Sequence, residues 1–207
     1  MSSKSVFIIV GGANGSGKST FTESYLKNKN DMLIIDPDKI ARELPNNISN
    51  KDIAAGKISI NKMNEYIKEN KNFIVETTLS GNTHLKMLDK AIEEGYKTTL
   101  IYVGTENYNK NINRINQRAL QGLHDIPKND VIRRYKRSLE NLKNYYNKVD
   151  EKMIFDNTKS YKKLLHVDKQ KVKYLAPKTP KWLKQALGSE LKVLRAKDQE
   201  QKKENER

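Results

Sequence analysis

The chain has 207 residues, a formal net charge of +15 and no cysteine, so disulfides and thiolate metal sites are excluded and a reducing, cytoplasmic setting is expected. No run of about 18 apolar residues occurs, and the first four residues lead straight into an apolar stretch, so neither a transmembrane helix nor a cleaved signal peptide is expected. The length suits one domain with an appendage.

An apolar run at 6–10 reads as a buried parallel strand, and 19–28 as the helix that follows it. A second short strand at 32–35 ends on Asp36-Pro37-Asp38, where the proline marks the start of a helix. Ile53, Ile60, Met63 and Ile67 recur near helical spacing and predict a long helix over 52–70. A third strand at 73–75 runs into Glu76-Thr77-Thr78-Leu79-Ser80-Gly81, and a helix over 84–94 is closed by Gly95. A fourth strand covers 98–103, rich in β-branched and aromatic residues. Helices follow over 109–121, bearing Arg114 and Arg118, and over 128–148, bearing Arg133, Arg134 and Arg137. A fifth strand at 152–155 ends at Asp156-Asn157. Beyond the stiff break Pro177-Lys178-Thr179-Pro180, the residues Trp182, Leu183, Ala186 and Leu187 form a short apolar stripe. From about 189 onward the chain is almost wholly polar and reads as a solvated helix or a disordered end.

This alternation predicts an α/β fold: an open, mostly parallel, five-stranded sheet with helices on both faces. Right-handed crossovers put the ligand at the carboxyl edge of the strands. The expected organisation is a domain over 1–168, with an arginine-bearing helical lid at about 109–148, and a partly helical extension over 169–207.

The chemistry centres on Gly12-Ala13-Asn14-Gly15-Ser16-Gly17-Lys18-Ser19, a complete G-x-x-x-x-G-K-[ST] phosphate loop, continued by Thr20. Its glycines allow a tight turn whose N–H groups converge on phosphates. Lys18 brings a positive charge to the outer phosphates, and Ser19 offers a hydroxyl to Mg²⁺. The following helix adds its positive N-terminal end.

A kinase also needs a base near an acceptor hydroxyl, and positive charge over the transferred group. Asp38 stands where a base would, and equally where a helix N-cap would. Glu76, at a strand end, suits the water shell of a metal, and Thr77, Thr78 and Ser80 suit hydrogen bonds to a substrate. Arg114 and Arg118 share one helical face, and with Arg134 on the next helix they form a candidate lid over phosphate. His124 lies in the turn between the two helices.

The charge excess is uneven, because residues 108–188 carry 20 Lys/Arg against 7 Asp/Glu. Such a field favours an anionic partner: a nucleotide, a nucleotide sugar, a nucleic acid or a membrane surface.

Together these segments resemble the zeta-toxin-like phosphate-loop kinases, in particular the bacterial branch described as predicted ATPases or kinases. The resemblance covers residues 6–158. It rests on Gly12–Thr20, Asp36-Pro37-Asp38, Ala54-Ala55-Gly56-Lys57, the Glu-Thr-Thr-Leu-Ser-Gly run from Glu76, and Glu94-Gly95-Tyr96. It continues through Arg114, Arg118, Gly122, His124-Asp125-Ile126-Pro127, Arg133-Arg134-Tyr135, Arg137-Ser138-Leu139 and Phe155-Asp156-Asn157. Leu123 stands where the closer branch usually has a second glycine.

The resemblance implies transfer of the γ-phosphate of ATP or GTP, with Mg²⁺, to a small-molecule hydroxyl. By analogy the acceptor is a nucleotide sugar such as UDP-N-acetylglucosamine. It implies Asp38 as the catalytic carboxylate, Glu76 and Thr78 as substrate-loop residues, Arg114 or Arg118 as the phosphate clamp, and Asn157 near the nucleotide base. An antitoxin protein is the partner that such a toxin would have. Two further readings stay open: a nucleic-acid end as the acceptor, using the basic segment as a groove with Tyr135, Tyr145, Tyr146 and Tyr161 for stacking, and a non-catalytic ATP-binding switch. No membrane partner is expected.

Overall fold

The computed structural model describes residues 4–26, 31–120 and 126–205. Strands β1 (Val6–Gly11), β2 (Leu33–Ile35), β3 (Phe73–Thr77), β4 (Lys97–Gly104) and β5 (Glu151–Asp156) pair in parallel. Strands β6 (Lys162–Asp168) and β7 (Lys171–Leu175) add to β5 in antiparallel fashion. The order across the sheet is β2-β3-β1-β4-β5-β6-β7. The sheet described thus has seven strands, not the five expected.

The two missed strands have physical reasons to escape a pattern search. They are lysine-rich, with Lys162, Lys163, Lys171 and Lys173, and their alternation is broken by a register shift between His166 and Val167. The turn joining them is Lys169-Gln170, without the glycine or asparagine that marks a two-residue hairpin, although Lys169 still takes φ +53°. In compensation, the lysines of the edge strand β7 discourage pairing with another chain.

The helices are α1 (Lys18–Leu26), α2 (Pro37–Glu43), α3 (Lys51–Lys68), α4 (Thr83–Glu93), α5 (Tyr108–Ala119), α6 (Lys128–Lys148) and α7 (Lys181–Asn205). Strand β1 is buried on both faces, as a central parallel strand must be. Its alternate side chains enter different cores. Phe7 and Ile9 join a large cluster with Met63 of α3, Leu88 of α4, and Leu142 and Tyr145 of α6. Ile8 and Val10 join a smaller cluster on the other face, covered by Phe21 and Tyr25 of α1. Helices α5 and α6 share a third cluster, built from Ile112, Ile115 and Val131.

Helix α7 belongs to the large core. Trp182, Leu183, Leu187, Leu191 and Leu194 are all buried in it. The stripe seen in the sequence therefore continues past residue 189, where a solvated or disordered end was expected, and the chain stays helical to Asn205 apart from a non-helical Leu187 (φ −133°, ψ 35°). Trp182 lies over the end of β4, where a Cβ on Gly104 would be 2.4 Å from its ring. Its indole N–H donates to Asp156 Oδ1 at 3.0 Å. A division of the chain at residue 168 would fall between the paired strands β6 and β7.

Candidate active site

The loop between β1 and α1 sits at the carboxyl edge of the sheet, and its shape is imposed partly by glycine. Gly12 takes φ +146° and Gly17 φ +101°, conformations that side chains rarely adopt. Space is equally restrictive. A Cβ on Gly12 would sit 2.3 Å from the Val103 carbonyl oxygen, and one on Gly17 would sit 2.4 Å from Asn157 Nδ2.

The loop is also held from outside by its carbonyls. Asn157 Nδ2 donates to Ser16 O at 2.8 Å, and the Tyr161 hydroxyl donates to Gly17 O at 2.6 Å. Asn111 Nδ2 donates to Asn14 O at 2.7 Å. The Gly12 and Ser16 N–H groups donate to Thr77 O and Ala13 O, so an anion in front of the loop would be met by the other loop N–H groups and by the N-terminal end of α1. Lys18 is buried, and its Nζ donates to Ala13 O at 3.2 Å. Burial pushes the Lys18 pKa down, against the opposing pull of Asp38, Glu76 and Asp36. Among the described residues, the buried Ser16 hydroxyl has no partner.

Ser19 Oγ donates to Glu76 Oε2 at 2.8 Å. Glu76 is buried at the end of β3, and burial raises its pKa, with Lys18 the main opposing influence. A hydroxyl and a carboxylate side by side form an all-oxygen donor set of the kind Mg²⁺ takes. Among the described residues, no group of three or more His, Asp or Glu is disposed to hold a metal.

Two cavities open from this loop. The first, of about 80 Å³, lies between the loop, Asp38 and Arg42 of α2, and Ile115 and Arg118 of α5. The second, of about 170 Å³, is walled by Asp36, Asp38, Asp52, Glu76, Thr77, Thr78, His84 and Arg134. Lys18 and Asp38 line both.

Asp38 is free for this position because a neighbour caps the helix. Asp36 Oδ1 accepts from the backbone N–H of Asp38 at 2.9 Å and of Lys39 at 3.2 Å. Pro37 occupies the first turn, where its missing N–H costs nothing. The cap is thus Asp36, and the exposed Asp38 side chain faces the cavities.

The Thr77–Ser80 loop is strained and tightly held. Leu79 is fully buried at φ +55°, an uncommon conformation outside glycine. Its N–H donates to Thr77 Oγ1 at 3.2 Å, and its carbonyl accepts from Asn141 Nδ2 at 2.7 Å. Thr78 Oγ1 and Ser80 Oγ share a hydrogen bond of 2.8 Å.

Of the residues expected from the sequence, Lys18, Ser19, Asp38 and Arg118 meet at the first cavity, and Lys18, Asp38, Glu76, Thr77, Thr78 and Arg134 at the second. Others are engaged behind the loop. Arg114 donates to the carbonyls of Asn157 (2.7 Å), Thr158 (3.4 Å) and Gly15 (3.4 Å). Asn157 is bonded to the loop backbone, and the exposed Thr20 lies beside the Tyr161 hydroxyl. Arg134 also reaches Asn14 Oδ1 at 3.3 Å. Gly122, Leu123 and His124 of the expected lid turn lie outside the described residues.

Sequence reasoning missed Arg42, His84, Asp52 and Asn111. Arg42 had a signal, because it stands one helical turn after Asp38 on the same face. Asn111 had none, since its use depends on how α5 meets the loop.

A phosphate loop at the carboxyl edge of a mainly parallel sheet, with a second cavity beside its lysine, defines the class as a phosphate-loop kinase fold. The family model for zeta toxin matches residues 1–178, and the chain belongs to the zeta toxin family. An uncharacterised protein of Haemophilus influenzae is 36% identical over 139 residues, spanning 65% of this chain and 94% of its own. Among solved structures, one from the PezAT chromosomal toxin–antitoxin system of Streptococcus pneumoniae matches with TM-score 0.59 at 18% identity, covering 78% of this chain and 72% of its own. The AvrRxo1-ORF1:-ORF2 structure with ATP matches with TM-score 0.65 at 13% identity, covering 82% of this chain and 61% of its own.

Proposed function

We propose that this chain is a cytoplasmic kinase that moves the γ-phosphate of ATP or GTP to a hydroxyl of a small molecule. Following the family, we take the reference acceptor to be a nucleotide sugar such as UDP-N-acetylglucosamine. The carrying observation is that two cavities meet at Lys18 and Asp38, giving donor and acceptor one shared wall.

In this reading the loop N–H groups and Lys18 hold the donor phosphates. Ser19, with Glu76 through a water, holds Mg²⁺, which when bound neutralises charge on the outer phosphates. Arg118 and Arg42 face the transferred group from opposite helices, suited by their planar, permanently charged forks. Asp38 accepts the acceptor's hydroxyl proton as transfer proceeds. Thr77 and Thr78, with the Ser80-bonded loop, position the acceptor, and Arg134 closes the wall between the two cavities. Arg114 and Asn157 act on the donor through the loop backbone they hold. An antitoxin protein would be the natural partner of a toxic product.

A nucleic-acid end as acceptor is less favoured, because Asp36, Asp38, Asp52 and Glu76 line the acceptor side. The test is mass spectrometry of UDP-N-acetylglucosamine and of hydroxyl-ended oligonucleotides incubated with the protein and ATP–Mg²⁺. The expected result is a phosphorylated nucleotide sugar, lost in Asp38→Asn while ATP binding persists. Full activity in Asp38→Asn would remove Asp38 as the base, and an unmodified nucleotide sugar would remove the acceptor.

A further inference from the structure

At the edge of the sheet opposite the phosphate loop, α6, α7 and the β6–β7 turn frame a cavity of about 340 Å³ that has no part in the transfer chemistry outlined above. Lys152, near the start of β5, lines it, roughly 13 Å along that strand from Asp156. Among the described residues, Lys143, Lys152, Lys169 and Lys197 face this cavity, and Glu190 is the carboxylate in its wall. Two of the lysines are already engaged. Lys143 pairs with Glu190 at 2.8 Å and reaches Ser189 Oγ at 3.2 Å. Lys197 donates to Gln170 Oε1 at 3.3 Å, which leaves the Gln170 amide N–H₂ unused. Lys152 and the exposed Lys169 make no hydrogen bond or ion pair among the described residues.

Tyr146 marks the same cavity independently. It is only 6% exposed, yet its hydroxyl makes no hydrogen bond among the described residues. That hydroxyl is not sealed in: the unpartnered side-chain oxygens closed to solvent are those of Ser16 and Asp168. The Lys152 ammonium stands 5.5 Å from the centre of the Tyr146 ring. Burial pulls the Lys152 pKa down, against the opposing pull of Asp150 and Asp168, neither of which it bonds. A half-buried ammonium without a counter-ion and a buried phenol with an unused proton are both costly, and one anionic group removes both costs.

We infer that this cavity is a second anion site, distinct from the phosphate loop, where Lys152, Lys169 and the Tyr146 hydroxyl hold the phosphate group of a small organic phosphate. Phosphate is favoured over carboxylate by the number of donors. With the Gln170 amide they ask for more acceptor oxygens than a carboxylate has, and a phosphate monoester brings three. The organic part follows from the rim. Val193 is 56% exposed there, beside Leu194 and Val167, so an apolar body on the phosphate covers surface that water otherwise wets.

The test is a titration of the full chain with phenyl phosphate, followed by NMR with labelled lysine and tyrosine. Saturable shifts of the Lys152 ammonium and the Tyr146 ring are expected. Calorimetry then compares variants. Tyr146→Phe and Lys152→Met keep the ring and the aliphatic stem in place, and each should weaken phenyl phosphate binding by about tenfold or more. Lys18→Met, which removes the cation of the phosphate loop, should leave the Lys152 and Tyr146 shifts as they are. Inorganic phosphate should bind several-fold more weakly than phenyl phosphate. Shifts that rise without saturating, shifts lost in Lys18→Met, or an affinity kept in both Tyr146→Phe and Lys152→Met overturn the inference. Inorganic phosphate binding as tightly as phenyl phosphate overturns its organic part.

Discussion

Gly104→Ala should loosen the C-terminal helix from the nucleotide side of the sheet. A Cβ there would lie 2.4, 2.6 and 2.8 Å from three atoms of the Trp182 ring. Carbon atoms in contact sit about 3.5–4.0 Å apart, so the ring must retreat by roughly 1 Å. Overpacking of this kind costs about 1–3 kcal/mol. A retreating ring also strains or breaks the indole bond to Asp156, and a hydrogen bond to a charged group is worth about 1.5–3 kcal/mol. With the bond lost, the expected loss is about 2.5–6 kcal/mol. Trp182 is the chain's single tryptophan, so its fluorescence reports the site alone. Urea unfolding should show a lower midpoint, and the native emission should shift to the red as the ring meets water. The same Asp156 Oδ1 accepts from Thr158 Oγ1 at 2.8 Å, beside the Asn157 that holds the phosphate loop. ATP affinity should therefore fall as well. Unchanged emission together with an unchanged unfolding midpoint would refute the packing argument.

Arg42→Ala and Arg118→Ala should each lower the single-turnover rate by about a hundredfold while ATP still binds, as removal of a donor to the transferred group does. Arg114→Ala should cost about 1.5–3 kcal/mol in urea unfolding, because three carbonyls lose a charged donor; Arg114→Lys should fail to restore it, since one ammonium cannot span them. The folded pKa of His84, about 4, lies below its ordinary 6.5. The stability of the neutral buried ring is thus fully present above pH 6.5 and falls as the pH drops toward 4, by at most about 3 kcal/mol. His84→Phe should flatten that part of the acid-unfolding profile, as read by urea midpoints across the range.

What was legible in the sequence depends on neighbours within a turn or two. The phosphate loop dictates its own conformation, and the Pro37 start of α2 follows from one residue. Whether Asp38 was base or cap was undecidable locally, because Asp36 two residues earlier could do the capping and does. Arg114 and Arg118 share a helix face by spacing, yet they separate in use. Arg114 reaches carbonyls behind the loop, while Arg118, one turn further along, lines the cavity. That choice depends on where α5 stands relative to the loop. His84 reaches the wall of the second cavity only because α4 packs against the Thr77 loop, which neighbours in the chain do not announce.

Bulk charge is likewise a coarse guide to a site. Much of the basic excess over residues 108–188 lies at exposed positions away from the phosphate loop. Arg133 pairs with Asp130 at 2.6 Å, Arg137 is exposed, and Lys162, Lys163, Lys171 and Lys173 stand exposed on the added hairpin. The second cavity itself is lined by four carboxylates against two cations. A net charge sets the far field that draws an anionic nucleotide toward the protein. Which part of the acceptor enters beside Asp38 is decided at hydrogen-bond range. In the proposed kinase, four carboxylates against two cations would disfavour a strongly anionic group at that position.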